Sequence, residues 1–158
     1  MEQRRIAIIR IHGIKGLRKQ IKDTCFKLRL YKKHNCVIVS NSPDYMGMIK
    51  KIDNYVAWGE VNPDILRLLL EKRGKLARKE RLRESYVQEK LNISLTDFAS
   101  DIINFKRELD NLPGLKLFFK LNPPKGGFEQ GGIKKQFSLG GAAGYRKNYI
   151  NKLIEKML

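Results

Sequence analysis

Seven of the chain's thirteen glycines fall in one stretch, residues 121–148: Gly126, Gly127, Gly131, Gly132, Gly140, Gly141 and Gly144. Among them stand Lys125, Lys134, Lys135, Arg146 and Lys147, against one acid, Glu129. Paired glycines let a backbone approach a partner closely or take positive φ. Interleaved Lys and Arg offer charge to a polyanion. Phe128, Phe137 and Tyr145 separate the stretch from a disordered linker, which would be polar and poor in aromatics. No helical or strand period runs through it, and so long a loop in a compact domain is either functional or disordered. The chemistry indicated is nucleic-acid binding by a loop that is loosely ordered alone and pinned down by its partner. The plainer alternative is a solvated surface loop.

The whole chain supports a polyanionic partner. Its 158 residues carry 33 Lys and Arg against 16 Asp and Glu, a net charge of +17. Charge of one sign steers association at the cost of self-repulsion. Nucleic acid is the first partner class this implies and an anionic membrane the second. Residues 1–34 hold eleven of the cations and only two acids. Arg10, Lys15, Arg18, Lys19 and Lys22 are the candidate contacts there. Apolar content of 42% is enough for a core. Arg4, Arg5 and Arg10 interrupt the first apolar run, so it does not read as a signal peptide. No window reaches the ~18 apolar residues of a spanning helix.

No catalytic constellation emerges. His12 and His34 are isolated from any nucleophile, carboxylate or metal-ligand pattern. At the end of a strand in a basic region, His12 could touch phosphate, or simply lie on the surface. Residues 140–147, GGAAGYRK, lack the G-x-x-x-x-G-K-[ST] phosphate loop. Cys25 and Cys36 have no metal-ligand spacing and read as small core residues in a reducing cytosol. Trp58 could stack on a base, or pack at a strand end. No cofactor, metal or small-molecule substrate is expected. An RNA-acting enzyme would need a general base or cofactor loop that the chain does not offer.

The elements that must position these residues follow from periodicity. Residues 5–12, RIAIIRIH, read as a strand with Ile6, Ile8 and Arg10 on one face and Ala7, Ile9 and Ile11 on the other. Leu17, Ile21, Cys25 and Leu28 give a helix over 17–30 its inner stripe. CVIVS at 36–40 is an apolar, central strand. Ser42-Pro43 starts a helix over about 44–54. YVAWGE at 55–60 is a third strand, and Asn62-Pro63 opens a helix to about Arg73. This βαβαβα order favours an α/β layer structure, closer to a ferredoxin-like or split βαβ sheet than to a doubly wound one. Residues 75–90 read as a basic helix with a thin apolar stripe at Leu76, Leu82 and Val87. It would be laced with ion pairs or would lie along phosphates; that stripe is a poor fit to a membrane surface. Ser94 with Asp97 caps a further helix. The near-neutral span 91–117 should pack on the core. Residues 116–121 are a strand feeding the Gly-rich stretch, and Ile150, Leu153, Ile154 and Met157 mark a closing helix.

Several segments together carry a family resemblance. They are Leu28-Arg29-Leu30 with Asn35-Cys36-Val37; Ser42-Pro43; Tyr45-Met46-Gly47-Met48; and Tyr55 to Glu60. The last are Leu121-Asn122-Pro123-Pro124-Lys125-Gly126-Gly127-Phe128 and Gly140 to Arg146. In this order the chain resembles the universal large-subunit ribosomal protein family numbered thirty, in its long archaeal form; the eukaryotic relatives are numbered seven. Asn122 departs from the His or Arg often found before the Pro-Pro. The long N-terminal arm of eukaryotic relatives is absent, so no role of that arm carries over. The resemblance implies a ferredoxin-like RNA-binding core over residues 1–60. It also implies an archaeal and eukaryotic extension over 61–158, containing the basic helix and the Gly-rich loop and packed on the core. It implies a cytoplasmic, non-enzymatic constituent of the large ribosomal subunit. The partners would be large-subunit ribosomal RNA near the 5S RNA region and neighbouring ribosomal proteins. The alternative is a transient ribosome-assembly or RNA-processing factor.

Overall fold

The computed structural model describes residues 2–158; residue 1, where the expected core begins, lies outside them. Three strands form the centre: β1 (Arg5–Arg10), β2 (Asn35–Ser40) and β3 (Val56–Glu60). β1 lies between the other two and is antiparallel to both, with Ile8 opposite Val37 on one side and Trp58 on the other. β2 and β3 are therefore parallel strands separated by β1, the split βαβ arrangement that alternating elements favour. Helix α1 (Lys19–Lys27) joins β1 to β2, and α2 (Pro43–Ile52) crosses from β2 to β3. Ser42 caps α2 by accepting from the Tyr45 amide, with Pro43 in the first turn where no donor is lost.

Side-chain alternation along β1 sends its residues into two cores. Ile6 and Ile8 join Cys25, Leu28, Val37, Ile49, Ile52 and Val56 beneath α1 and α2. Ala7, Ile9 and Ile11 join the second core under α3 (Pro63–Arg73), α5 (Leu95–Ile103) and α6 (Tyr149–Met157). Phe98, Ala99 and Ile102 of α5 are fully enclosed there. Two short strands complete the sheet. β4 (Phe119–Lys120) pairs with β2, and β5 (Gly144–Tyr145) runs parallel to β3, giving the order β4-β2-β1-β3-β5. Both edge strands come from residues beyond 61. The result is a mixed α+β fold with a ferredoxin-like centre and a helical extension.

One expected element is different. Residues 75–83 are not helical; α4 covers only Glu84–Leu91. Lys75 bridges Arg81, the Leu76 amide donates to the Glu80 carbonyl, and Lys79 sits at the tip with φ 66°. The reason lies in the apolar spacing. At 100° per residue, Leu76 and Leu82 would point roughly 120° apart on a helix. A tight hairpin instead lets Leu82 enter the core, while Leu76 pairs with Leu115. Gly74 makes this possible, since a Cβ there would meet Leu82 and the Leu70 carbonyl.

Candidate nucleic-acid interface

β1 and β4 run toward one end of the sheet, and β2, β3 and β5 start from it. The pairings Arg10–Val56, Asn35–Lys120 and Ala57–Gly144 place all five strand ends together. Residues 11–18 leave that end, 32–35 and 53–56 enter it, and the Gly-rich stretch spans it from the β4 edge to the β5 edge.

The Gly-rich stretch is packed against the rest of the fold. It is sewn to the end of the sheet at several points. Leu121 donates its amide to the His34 carbonyl, and Lys125 donates to the Lys156 carbonyl. Phe128 stacks on His34 with centroids 6.0 Å apart. Gln136 donates to Asn54 at 2.7 Å and Asp53 at 3.2 Å, and Asp53 also accepts from the Trp58 indole at 2.8 Å. Its own turns interlock: the Gly131 amide meets the Gly140 carbonyl, and Ala142 donates to the Gly132 carbonyl. Gly144, at φ 85° and pressed against the Gln136 side chain, tolerates no Cβ.

Of the ten expected contacts, eight are exposed and form no ion pair among the described residues: Lys15, Arg18, Lys19, Lys22, Lys125, Lys134, Lys135 and Lys147. Lys15 and Arg18 leave the sheet end, Lys19 and Lys22 continue from it on α1, and Lys125, Lys134 and Lys135 lie in the crossing stretch. Lys147 is set apart beyond β5, its carbonyl against Gly59. Apart from Lys147, the two candidate groups, over a hundred residues apart in the chain, thus stand on segments that leave or cross the same end of the sheet.

Arg10 and Arg146 are corrected: neither is a surface contact. Arg10 is 1% exposed, and its guanidinium donates to the carbonyls of Leu30 at 2.8 Å, His12 at 2.9 Å and Tyr31 at 3.3 Å. Those carbonyls lie where the chain enters and leaves α1, so Arg10 holds that connection in place. Arg146 is 2% exposed and meets Glu129 in a two-pronged pair at 2.6 and 2.7 Å, with Phe137 under its charge at 4.8 Å. Burial would raise the Glu129 carboxyl, but the Arg146 hydrogen bonds and charge hold it below the usual carboxylate range. Arg5, unsuspected in sequence, is likewise enclosed, donating to the Ile102 carbonyl and pairing with Glu108 at 2.6 Å.

The remaining candidates take quieter roles. The Trp58 ring lies 4.5 Å from Tyr145, so it packs rather than standing free for a base. Burial, and the hydrogen bond to Glu60, push the Tyr145 hydroxyl up to about 12. His12 meets Tyr55 edge-on. Burial, with Lys33 beside it, lowers the His34 pKa. Burial raises both cysteine thiols, consistent with inert core residues. The described residues offer no cluster able to hold a metal ion. Sequence reasoning missed Lys32 and Lys33, exposed where the chain enters β2; their signal is the doublet between two apolar runs.

The family described as Ribosomal protein L30p/L7e matches residues 6–56, the β1–β3 centre. A curated relative from Methanopyrus kandleri, named large ribosomal subunit protein uL30, is 46% identical over 149 residues, 94% of this chain and 100% of its own length. The chain belongs to the uL30 family. A uL30 protein from Methanococcus maripaludis is 40% identical over 96% of this chain and 98% of its own length, and one from Archaeoglobus fulgidus is 38% identical over the same shares. The uL30 likeness therefore covers the Gly-rich stretch and α6 as well as the centre. A uL30 chain is a structural ribosomal component and not an enzyme.

Proposed function

We propose that this chain binds large-subunit ribosomal RNA through the basic end of its sheet and helps hold that RNA's fold near the 5S RNA region, in the cytoplasm. Residues 1–60 supply Lys15, Arg18, Lys19 and Lys22; the extension over 61–158 supplies Lys125, Lys134, Lys135 and Lys147. Neighbouring large-subunit proteins are the other partners. The observation that carries this reading is that seven of the eight exposed, unpaired cations, all but Lys147, stand on segments meeting at that end of the sheet, in a chain of the uL30 family. Their flexible ammonium and guanidinium groups suit phosphate and sugar, so recognition is by RNA shape. Arg10 and Arg146 are left out of the contact set; they position the segments that carry it.

The test has two parts. Native protein is sedimented with dissociated subunits in high salt. Stoichiometric travel with the large subunit is expected, whereas a free pool with residual RNA binding would favour a transient assembly factor. Binding of the purified chain to large-subunit RNA is then measured against salt for wild type and a K125A/K134A/K135A variant. Each lost phosphate contact lowers the logarithmic salt slope by about 0.7–0.9. An unchanged slope would remove the Gly-rich stretch from the interface.

A further inference from the structure

Around the β4 edge lies a second cationic feature that the eight candidates do not include. Arg73, Lys75, Lys79, Lys116 and Lys120, with Phe118, line a cavity of about 70 Å³. No acidic residue lines it, and none of the five cations forms an ion pair among the described residues. Five like charges around one small space repel one another unless an anion occupies it. At roughly 10–15 Å³ per water, the space accepts a few waters or the oxygens of one tetrahedral anion.

The site is built rather than a chance crowding of lysines. The 75–83 hairpin aims Lys75 and Lys79 toward β4, and the Lys116 amide donates to the Lys75 carbonyl at 2.9 Å. Arg73 is fixed through one Nη to the Leu158 main-chain oxygen at 2.6 Å. Its Nε is buried with no hydrogen-bond partner among the described residues. A buried charged donor without a partner is costly, which leaves Arg73 under-paired where it lines the cavity.

Phe118 connects this cavity to a ladder of aromatics. It meets Tyr31 edge-on at 5.3 Å, and Tyr31 meets Phe26 at 5.2 Å. Phe26 ends the ladder 69% exposed, with Lys27, Arg29, Lys32 and Lys33 nearby in the chain, all exposed. A phosphate seat continuous with an aromatic ladder that ends in an exposed ring matches single-stranded nucleic acid, whose unstacked bases lie on aromatic side chains while its backbone follows positive charge. Duplex RNA would use the cations and leave Phe26 idle.

We infer that the Arg73–Lys120 cavity seats a backbone phosphate of a single-stranded RNA segment whose bases lie over Tyr31 and Phe26. The inference rests on the RNA-binding reading and adds to it a site, on the β4 edge, for a looped or splayed strand.

The experiment uses the full chain and a ten-residue oligouridylate. K75Q/K79Q/K120Q is expected to bind it at least tenfold more weakly and to lower the salt slope by about 2, at roughly 0.7 per single-strand contact. F26L is expected to weaken binding about fivefold or more while leaving the slope unchanged, because stacking releases no counterion. Inorganic phosphate, and not chloride, is expected to shift the Arg73 Nε–H resonance in the wild type. Unchanged oligouridylate affinity and slope in the triple variant overturn the proposal, as does a phosphate-insensitive Arg73 or tighter binding to a phosphoserine peptide than to the oligonucleotide. If the protein co-sediments with large subunits while the triple variant binds oligouridylate normally, this inference fails and the ribosomal reading stands. If the cavity binds as stated and the protein never sediments with subunits, the reverse holds.

Discussion

Strands β1–β3 bury Arg5 and Arg10, and the Gly-rich stretch crossing their end buries Arg146, but the two regions are held by different means. In the strands the inward side chains are mostly aliphatic, and Ile8, Ile9 and Val56 are fully enclosed. Such a region is stabilised by apolar burial, at about 25 cal/mol per Å², and is tied by continuous ladders. In the Gly-rich stretch the most enclosed side chains are only Ala142, Ala143 and Arg146. Its order comes from backbone turns, the Gln136 bridge to Asp53 and Asn54, and the Arg146–Glu129 pair. A segment with little apolar area and a few directional contacts opens locally, whereas a packed sheet fails as a whole.

That contrast can be broken from either side. The largest effect is expected for Ile8→Ala, which leaves a cavity between β1 and the α1–α2 layer. We expect a loss of about 3–4 kcal/mol in denaturant unfolding, with all amides of the sheet affected together. A loss confined to one helix would show that the sheet is not the cooperative unit.

Next is Arg146→Ala, which strands Glu129 and removes the donor to the Ala142 carbonyl. Because Glu129 is 31% exposed in its side chain, water takes up part of the cost. The expected loss is about 2–3 kcal/mol, below the full penalty for orphaning a buried ion. Hydrogen exchange should quicken over residues 129–145 while β1 amides keep their protection. Equal loss of protection in both regions would erase the distinction drawn above.

The smallest effect is expected from acidification. Glu129 titrates lower in the folded chain than unfolded, so its contribution is present above the ordinary carboxylate value of about 4.3. It is lost as pH falls through the folded value. Exchange in the Gly-rich stretch should therefore quicken at acid pH in the wild type. In Glu129→Gln it should be faster already at neutral pH and should lose that acid step. An acid step that survives in Glu129→Gln would assign the linkage to another carboxylate.

The strands and the helices α1, α2, α3, α5 and α6 were legible because each has a period or a cap signal: alternation in β1, Ser42-Pro43 before α2, Asn62-Pro63 before α3. Residues 75–83 misled because helix formers fill them, and propensity yields to the tertiary need to bury Leu82. The Gly-rich stretch was legible as an anomaly in composition but not as a structure, since glycine favours no single path. Eight of its and the first segment's cations are proposed as contacts from charge alone, and these are exposed. The five-cation cavity was not legible in this way, because Arg73, Lys75, Lys79, Lys116 and Lys120 are scattered among acids in the chain and meet only when the hairpin folds onto β4.

By itself, then, the sequence determined the two faces of β1, the split βαβ order, the uL30 likeness and an excess of positive charge that suits a polyanion. Those depend on local periodicity and on sums over residues. Only the tertiary structure decided where each charge lies. Arg10 reaches carbonyls 20 residues away at Leu30, and Arg146 a carboxylate 17 residues away at Glu129. Whether a guanidinium faces water or supports the fold is set by partners that the chain brings near only on closing, and composition carries no record of that distance.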